Sequence, residues 1–481
     1  MTVERSPTGR ANAATAVKPL LQQIVQTLSL SGLAVGVVKD GDVAYAGGFG
    51  VQSVETGQGV TASSVFHLAS VSKPFVATVV LQLVEAGQVE LDAPITAYVP
   101  YFRLDDERGA AVTVRHLLSH TSGLPRQGEE DEWVRPENDD GALERTVRRL
   151  STAKLLFAPG ERFAYSNYDS AVLGDLIAKV SGLPFEAAMA TRLLRPLGMR
   201  DSTFLKDEVP LNLLAAPHVL LPEPRLSPIY PYNRAWAPNA CLHASVADVC
   251  TWLLANLDRG SFHGGHILGA PTHDLLWRPH VRVGDGDPYR DHGLGWFVGM
   301  HRGHRIVHHL GIDVGFGARL VMLPDDALGV VVLCNSYPVP VDPLTDAVLD
   351  TLLGLEPRLP RPPVILALSN TLATRGLDAA LARYREIEAS QRDAYDFDPM
   401  QYYHVASTYK QVLAQPGRAV EVYSLAVAIY PDSDPYWHVL AEAHLANGER
   451  DRALEAAERC LTLNPEHPYA TQILRRLRAD E

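Results

Sequence analysis

Apolar residues along this chain follow two different periods, and the change of period divides it. In LAVGVVKDGDVAYAGGFG, residues 33–50, two apolar runs flank Asp40-Gly41, a dipeptide that favours the tight turn of a β-hairpin. GFGARLVMLPDDALGVVVLCN, residues 315–335, repeats the pattern around Pro324-Asp325-Asp326. Between these ends the apolar positions recur at helical spacing. PFVATVVLQLVEAG and DSAVLGDLIAKVSG each predict a helix that stops at a glycine. Early and late strands around a helical middle predict one antiparallel sheet assembled from both ends of a region, with a helical subdomain inserted.

LEPRLPRPPV, residues 355–364, interrupts this pattern. Pro357, Pro360, Pro362 and Pro363 cannot continue a helix and suit a semi-rigid connector. Beyond it the chain reads as helix throughout. In WHVLAEAHLANGERDRALEAAERCLTLNP, Trp437, Leu440, Ala453 and Pro465 stand at the offsets of a tetratricopeptide helix pair. A shift of about 34 residues, that repeat's period, lands Ala453 on Ala419, Cys460 on Ala426 and Pro465 on Pro431. LATRGLDAALARYREIEAS is a weaker earlier unit. The expected organisation is a flexible tail over 1–16, an α+β domain over 17–355, a proline-rich linker over 356–364 and an all-α TPR-like domain over 365–481.

Composition narrows the function classes. A net charge of −13 over 481 residues argues against nucleic acid and anionic membranes as partners. No apolar run is long enough to span a bilayer, so no membrane role is expected. Cys241, Cys250, Cys334 and Cys460 lack metal-type spacing and read as reduced structural thiols. The first residues, MTVERSPTGRANAATAVKP, lack the basic-then-apolar pattern of a secretory signal, so a cytoplasmic location is expected.

FHLASVSKPF, residues 66–75, carries the candidate chemistry. Ser70 and Lys73 are three apart, which on a helix puts them on one side with Cβ atoms roughly 5–6 Å apart. A serine that attacks an acyl group needs such a base within reach. The spacing alone is weak, because Ser151 and Lys154 match it in a stretch with nothing else to recommend it. Ser70 has company. Tyr165, Ser166 and Asn167 sit in PGERFAYSNYDSAVLG, where a tyrosine near a cation can act as general base. IVHHLGIDVGFGARL reads as an edge strand, a turn and a partner strand, with His309, Leu310 and Gly311 forming an HxG. A small residue there would let a substrate backbone lie against the strand. Two further HxG matches, at His263 and His301, fall in a loop and a hairpin turn.

SVSK, YSN and HLG, in that order, resemble the serine penicillin-recognising family of class C β-lactamases, D-alanyl-D-alanine carboxypeptidases, D-aminopeptidases and related esterases. VTVRHLLSHTSGLP, FAPGERFAYSN, LLRPLGMRDSTF and GLGWFVG are similar to the family as well, and the resemblance covers roughly residues 17 to 355. It implies Ser70 as acylated nucleophile, with Lys73 and Tyr165 sharing the proton transfers. Asn167 would bind the acyl side-chain amide, and His309 would stand near the tyrosine and the leaving group, with Gly311 the small residue of the substrate-binding strand. The backbone N–H groups of Ser70 and Ile312 would form the oxyanion hole. The expected substrate is a small ester, amide or peptide, D-amino-acid peptides among them. The alternative is a slow-acylating or non-catalytic scaffold whose repeats recruit a partner.

Two departures qualify the resemblance. The family's β-lactamases usually carry KTG where this chain has HLG, and an uncharged histidine there disfavours penicillins. Relatives often show Gly-Gly where this chain has Ala240-Cys241. No cofactor is expected. His301, His304, His308 and His309 include ligand types, but no carboxylate or cysteine in the motif completes a tetrahedral set, so no metal is expected. YPYNRAWAP, residues 230–238, reads either as an acyl-pocket wall or as a structural loop. The TPR-like repeats are expected to bind a protein or peptide, to self-associate, or to brace their neighbour.

Overall fold

The computed structural model describes residues 8–126, 136–221, 223–284 and 290–479. Its centre is an eight-stranded antiparallel sheet. The strands are β1 (Gly32–Lys39), β2 (Asp42–Gly50), β3 (Val281–Arg282), β4 (Asp291–His292), β5 (Phe297–His301), β6 (His304–Asp313), β7 (Phe316–Leu323) and β8 (Leu328–Cys334). Their spatial order is β2-β1-β8-β7-β6-β5-β4-β3, so the first strands of the chain pair with the last, Val35 opposite Val332. The expected sheet from both ends is what forms.

The turns reflect their residues. Asp40 and Gly41 take φ of +51° and +80°, and Arg302 and Gly303 take +48° and +95°. Positive φ at both central positions matches the right-handed twist of the strands they join. The β1 and β8 residues are buried on both faces, and their alternation sorts them into two cores. Val35, Val37, Val330 and Val332 meet Leu21 and Ile24 of α1 (Thr8–Thr27), and Leu344 and Val348 of a later helix. Ala34, Val38, Val331 and Leu333 join the opposite cluster, with Phe75 of α2 (Ser72–Glu85) and Trp252 of a second helix. That cluster continues into α3 (Asn167–Ser181), α4 (Val246–Leu257), which carries Trp252, and the rest of the inserted subdomain. The helix carrying Leu344 is α5 (Val341–Leu352).

Two expectations change. The segment expected as a tail is helical from Thr8 onward, because alanine-rich sequence favours helix and Val17 is buried in the apolar cluster on the sheet. Residues 1–7 of that expected tail lie outside the described residues. The strand carrying HLG was expected at an edge, but β6 lies inside the sheet. Its ladder with β5 ends at Phe297–His308, so residues 309–313 run on past β5 with β7 alongside.

After the proline stretch come α6 (Val364–Ser390, broken at Gly376 where φ is +79°), α7 (Met400–Ser407), α8 (Pro416–Ile429), α9 (Asp434–Ala446), α10 (Arg450–Leu463) and α11 (Pro468–Ala479). Ala419, Ala426, Ala453 and Cys460, the repeat-aligned small residues, are all fully buried, which lets helices approach closely. No described helix is long and apolar enough to cross a membrane. This extension is docked on the sheet domain. Leu221, in a hairpin loop of the inserted part, is buried in the extension's apolar core, and the Tyr337 hydroxyl lies 2.9 Å from His404 Nδ1.

Leu221→Ala is therefore expected to destabilise the docked extension by about 2–4 kcal/mol. The check is the midpoint of urea unfolding monitored by far-ultraviolet circular dichroism. An unmoved midpoint would mean that Leu221 does not hold the two parts together.

Candidate active site

The site forms where three separate stretches meet on one face of β6. Ser70 lies in a single tight turn, Ala69–Val71, that runs straight into α2. Ala69 is held at φ +48°, a conformation that L-residues rarely adopt, and this kink presents Ser70 at the end of the helix. Lys73 comes next in the first turn of α2 and is only 3% exposed. Its Nζ donates to Ser70 Oγ at 3.0 Å and to the Asn239 carbonyl at 3.1 Å. The same nitrogen lies 4.9 Å from the centre of the Tyr165 ring.

Tyr165 comes from the loop before α3, and Asn167 is the first residue of that helix. The Asn167 N–H donates to the Arg126 carbonyl at 2.7 Å, and the Arg126 guanidinium carbon lies 5.8 Å from the Tyr165 ring centre. Tyr165 also packs on His120, ring centres 4.6 Å apart. Behind it lies a buried polar set that sequence reasoning missed. His120 Nδ1 is 2.7 Å from Asp169 Oδ2, and Ser122 Oγ donates to Asp169 Oδ1 at 2.5 Å. Burial pushes the Asp169 carboxyl well above its ordinary value; burial, and then Lys73, push His120 down to about 3. A neutral carboxylic acid bonded to a neutral imidazole satisfies both shifts. The Ser166 N–H, 3.4 Å from the same Nδ1, fits a nitrogen that accepts.

The third stretch is β6. His309 is fully buried, and its Nδ1–H donates to the Leu310 carbonyl at 2.8 Å. Burial first, and Lys73 second, drive its pKa well below the ordinary histidine value, so it is a neutral ring with Nε2 as acceptor. Gly311 is required by contact. A Cβ there would stand 2.2 Å from the Leu68 carbonyl oxygen and 3.2 Å from the Ser70 nitrogen. Ile312, opposite Gly317 of β7, is 41% exposed beside this seam.

Close contacts thus join Ser70 to Lys73, Lys73 to Tyr165 and Gly311 to the Ser70 segment, with His309 on the same face of β6 as Gly311 and Asn167 and Ile312 next along the chain. The rival motifs fall elsewhere. Ser151 is exposed on a short turn, and Lys154 reaches Asp105 at 3.6 Å. His301 and His304 bond Asp350 and Asp326, each at 2.8 Å. Tyr230 of the aromatic segment stacks on His243, ring centres 5.8 Å apart. Sequence reasoning also missed Asn239. It lies in a four-residue helix, Ala237–Ala240, beside the expected Gly-Gly position, and that helix fits because Gly174 of α3 leaves room for Pro238. No spacing in the sequence marks a backbone carbonyl as a ligand of Lys73.

A protein-family model described as beta-lactamase matches residues 17–354. This chain belongs to the beta-lactamase family. A tetratricopeptide-repeat model matches residues 434–477. Esterase EstB of Burkholderia gladioli is 36% identical over 225 residues, covering 44% of this chain and 57% of that protein. Protein flp of Staphylococcus aureus strain MW2 is 25% identical over 328 residues, 66% of this chain and 62% of that protein. The match thus spans about three fifths of either curated relative's length. Among solved structures, the octameric penicillin-binding protein homologue from Pyrococcus abyssi superposes with a TM-score of 0.63 at 28% identity, over 72% of this chain and 78% of that one. In this beta-lactamase-family fold, as the geometry has it, the HLG strand and the SVSK turn are neighbours.

The protonated reading of Asp169 gives a test. In Asp169→Asn the amide N–H donates to His120 Nδ1 and its carbonyl accepts from Ser122, so stability is expected to change by less than about 1 kcal/mol. Asp169→Ala leaves both partners unpaired and is expected to cost about 2–4 kcal/mol. Thermal unfolding compares the two. Equal losses would show that an ionised Asp169 is what the site needs.

Proposed function

We propose that this protein is a serine hydrolase that transfers an acyl group from an ester or amide to water through Ser70. The observation that carries the reading is the buried Lys73 Nζ, 3.0 Å from Ser70 Oγ and 4.9 Å from the Tyr165 ring centre. An amine bonded to a hydroxyl can take its proton as the oxygen attacks a carbonyl carbon. Tyr165, whose ring lies against Lys73, passes a proton to the leaving group and later takes one from the attacking water. The oxygen of the tetrahedral intermediate is held by the N–H groups of Ser70 and Ile312, a reading supported by the close approach of Gly311 to the Ser70 nitrogen. Each such donor contributes roughly 3–4 kcal/mol to lowering the barrier.

Charge decides the substrate class. His309 occupies the strand position of a lysine in penicillin-hydrolysing relatives, and desolvation keeps it neutral. A neutral imidazole accepts a hydrogen bond from an N–H or O–H and gives no fixed cation for a carboxylate. Esters and amides without a carboxylate at that point are the fitting substrates, small D-amino-acid amides and peptides among them. Asn167, the first residue of α3, binds an amide of the acyl part in this reading. The helical extension, whose residues 434–477 match the repeat model, is proposed to bind a protein partner or a second copy while bracing the sheet domain.

The time course of nitrophenyl butyrate hydrolysis tests this. Ser70→Ala is expected to abolish steady turnover, Lys73→Ala to reduce it at least about a thousandfold, and Ser151→Ala to leave it unchanged. Turnover that survives Ser70→Ala sinks the reading. A single stoichiometric burst would instead show an acylating sensor that does not release its acyl group.

A further inference from the structure

A buried pair beside the seam has no part in the proton transfers of Ser70, Lys73 and Tyr165. The short strand Val65–His67 ends three residues before Ser70 and pairs with His243–Ser245, His67 opposite His243. His67 is fully buried, and its Nε2 lies 3.1 Å from Asp313 Oδ2. Asp313 ends β6, and its other oxygen accepts the Val314 N–H at 2.8 Å. Strand alternation puts His309, Gly311 and Asp313 on one face of β6, the face that meets the Ser70 segment. Contact between the two segments is therefore made twice. At Gly311 the backbones touch; two residues on, a side-chain bond spans the same gap. The two proposed oxyanion donors are bracketed by it, since Ser70 stands three residues after His67 and Ile312 stands immediately before Asp313.

We propose that the His67–Asp313 hydrogen bond is a clasp that fixes the separation of the Ser70 and Ile312 N–H groups, making both side chains positioning residues for acyl transfer. This rests on Ser70 being the nucleophile. A clasp suits the location because β6 has outrun β5 here, and among the described residues no strand pairs with 309–313 on that side to hold them in register. The Gly311 contact limits how near the segments come, and the bond limits how far they part. The pair's surroundings explain how it survives burial. His243, Tyr230 and Phe316 rings close around His67 at 5.3, 6.4 and 5.6 Å between centres.

Burial raises the Asp313 carboxyl to about 8, with the Val314 N–H and Lys73 opposing it, and lowers His67 to about 3. The titratable groups facing the pair are Lys73 from α2, His243 from the neighbouring strand, Tyr230 from the aromatic segment and Tyr337 beyond β8. Below about pH 8 Asp313 is a neutral acid and donates to His67. Above it, the carboxylate accepts from the other His67 tautomer, and a negative charge appears beside the site of the developing oxyanion. The bond persists across the transition; the charge does not help.

Steady-state hydrolysis of nitrophenyl butyrate by the full chain tests this, with Ser70→Ala as the control for the underlying reaction. Asp313→Ala is expected to lower kcat roughly 10–100-fold while KM stays within about threefold, because the hole acts on the transition state. Asp313→Asn keeps a donor to His67 and is expected to retain kcat within about threefold at neutral pH. The ratio of wild-type to Asp313→Asn kcat is expected to fall as pH rises through about 8, since only the wild type gains a charge. Ser70-dependent turnover with an undiminished kcat in Asp313→Ala overturns the clasp and leaves the hydrolase intact. Should Asp313→Ala not fold, Asp313→Asn decides: a large loss of kcat at an unchanged melting temperature overturns it. Turnover independent of Ser70 overturns the underlying reaction instead.

Discussion

The contact between Gly311 and the Leu68 carbonyl is the constraint on which the site depends. A single added methyl carbon would stand 2.2 Å from that oxygen, so two stretches of backbone nearly 250 residues apart in sequence meet without side chains between them. Everything else can be read as a means of holding that meeting. β6 is fixed by β7, which is fixed by β8, which pairs with β1 near the start of the chain. On the other side, α2 is packed by Phe75 stacked on Trp252, ring centres 3.6 Å apart. The sheet thus positions one wall and the buried helix the other, and the Ser70 turn is what remains between them. The strained φ of Ala69 belongs to the same account. A relaxed residue there would turn Ser70 away from the wall it must face.

Desolvation supplies the second layer. His120, Asp169 and His309 surround the Ser70–Lys73–Tyr165 group, and burial favours the neutral form of each. Neutral neighbours matter because an ionised carboxylate beside Lys73 would compete with Ser70 for its hydrogen bonds. Lys73 instead meets a hydroxyl and a backbone carbonyl, acceptors that leave it free to exchange a proton. The protein has built a pocket in which the dipoles are fixed and counter-charges are held back.

Much of this was legible in the sequence, for a definite reason. Turn residues at 40–41 and the helical spacing after Lys73 act over a few residues, and so does the three-residue step from Ser70 to Lys73. Local signals survive in a string of letters. The Lys73–Asn239, His120–Asp169 and His67–Asp313 contacts join residues far apart, and no spacing rule connects them. Position 239 acts through its carbonyl, which every residue has. The helical onset at Thr8 was missed because its apolar residues are sparse until Val17, and burial against the sheet decides the matter. The edge position expected for the HLG strand was wrong for the sheet but right in effect, since β6 outruns β5 just where the motif begins.

The helical extension is connected to this arrangement through the segment after β8. Tyr337 reaches His404 of α7 with its hydroxyl, and its backbone pairs with Val219 in the hairpin that sends Leu221 into the extension's core. Pro217 and His218, just before that hairpin strand's middle, press on Gly315, which adopts a φ of +75° in the turn leaving β6. Gly315 stands two residues after Asp313. A chain of packed backbone therefore runs from the extension, through the hairpin, to the end of the strand that forms one wall of the site. Packed interiors transmit displacement because they have few voids to absorb it. The extension and the end of β6 are thus closer in space, through the hairpin, than their separation in sequence suggests.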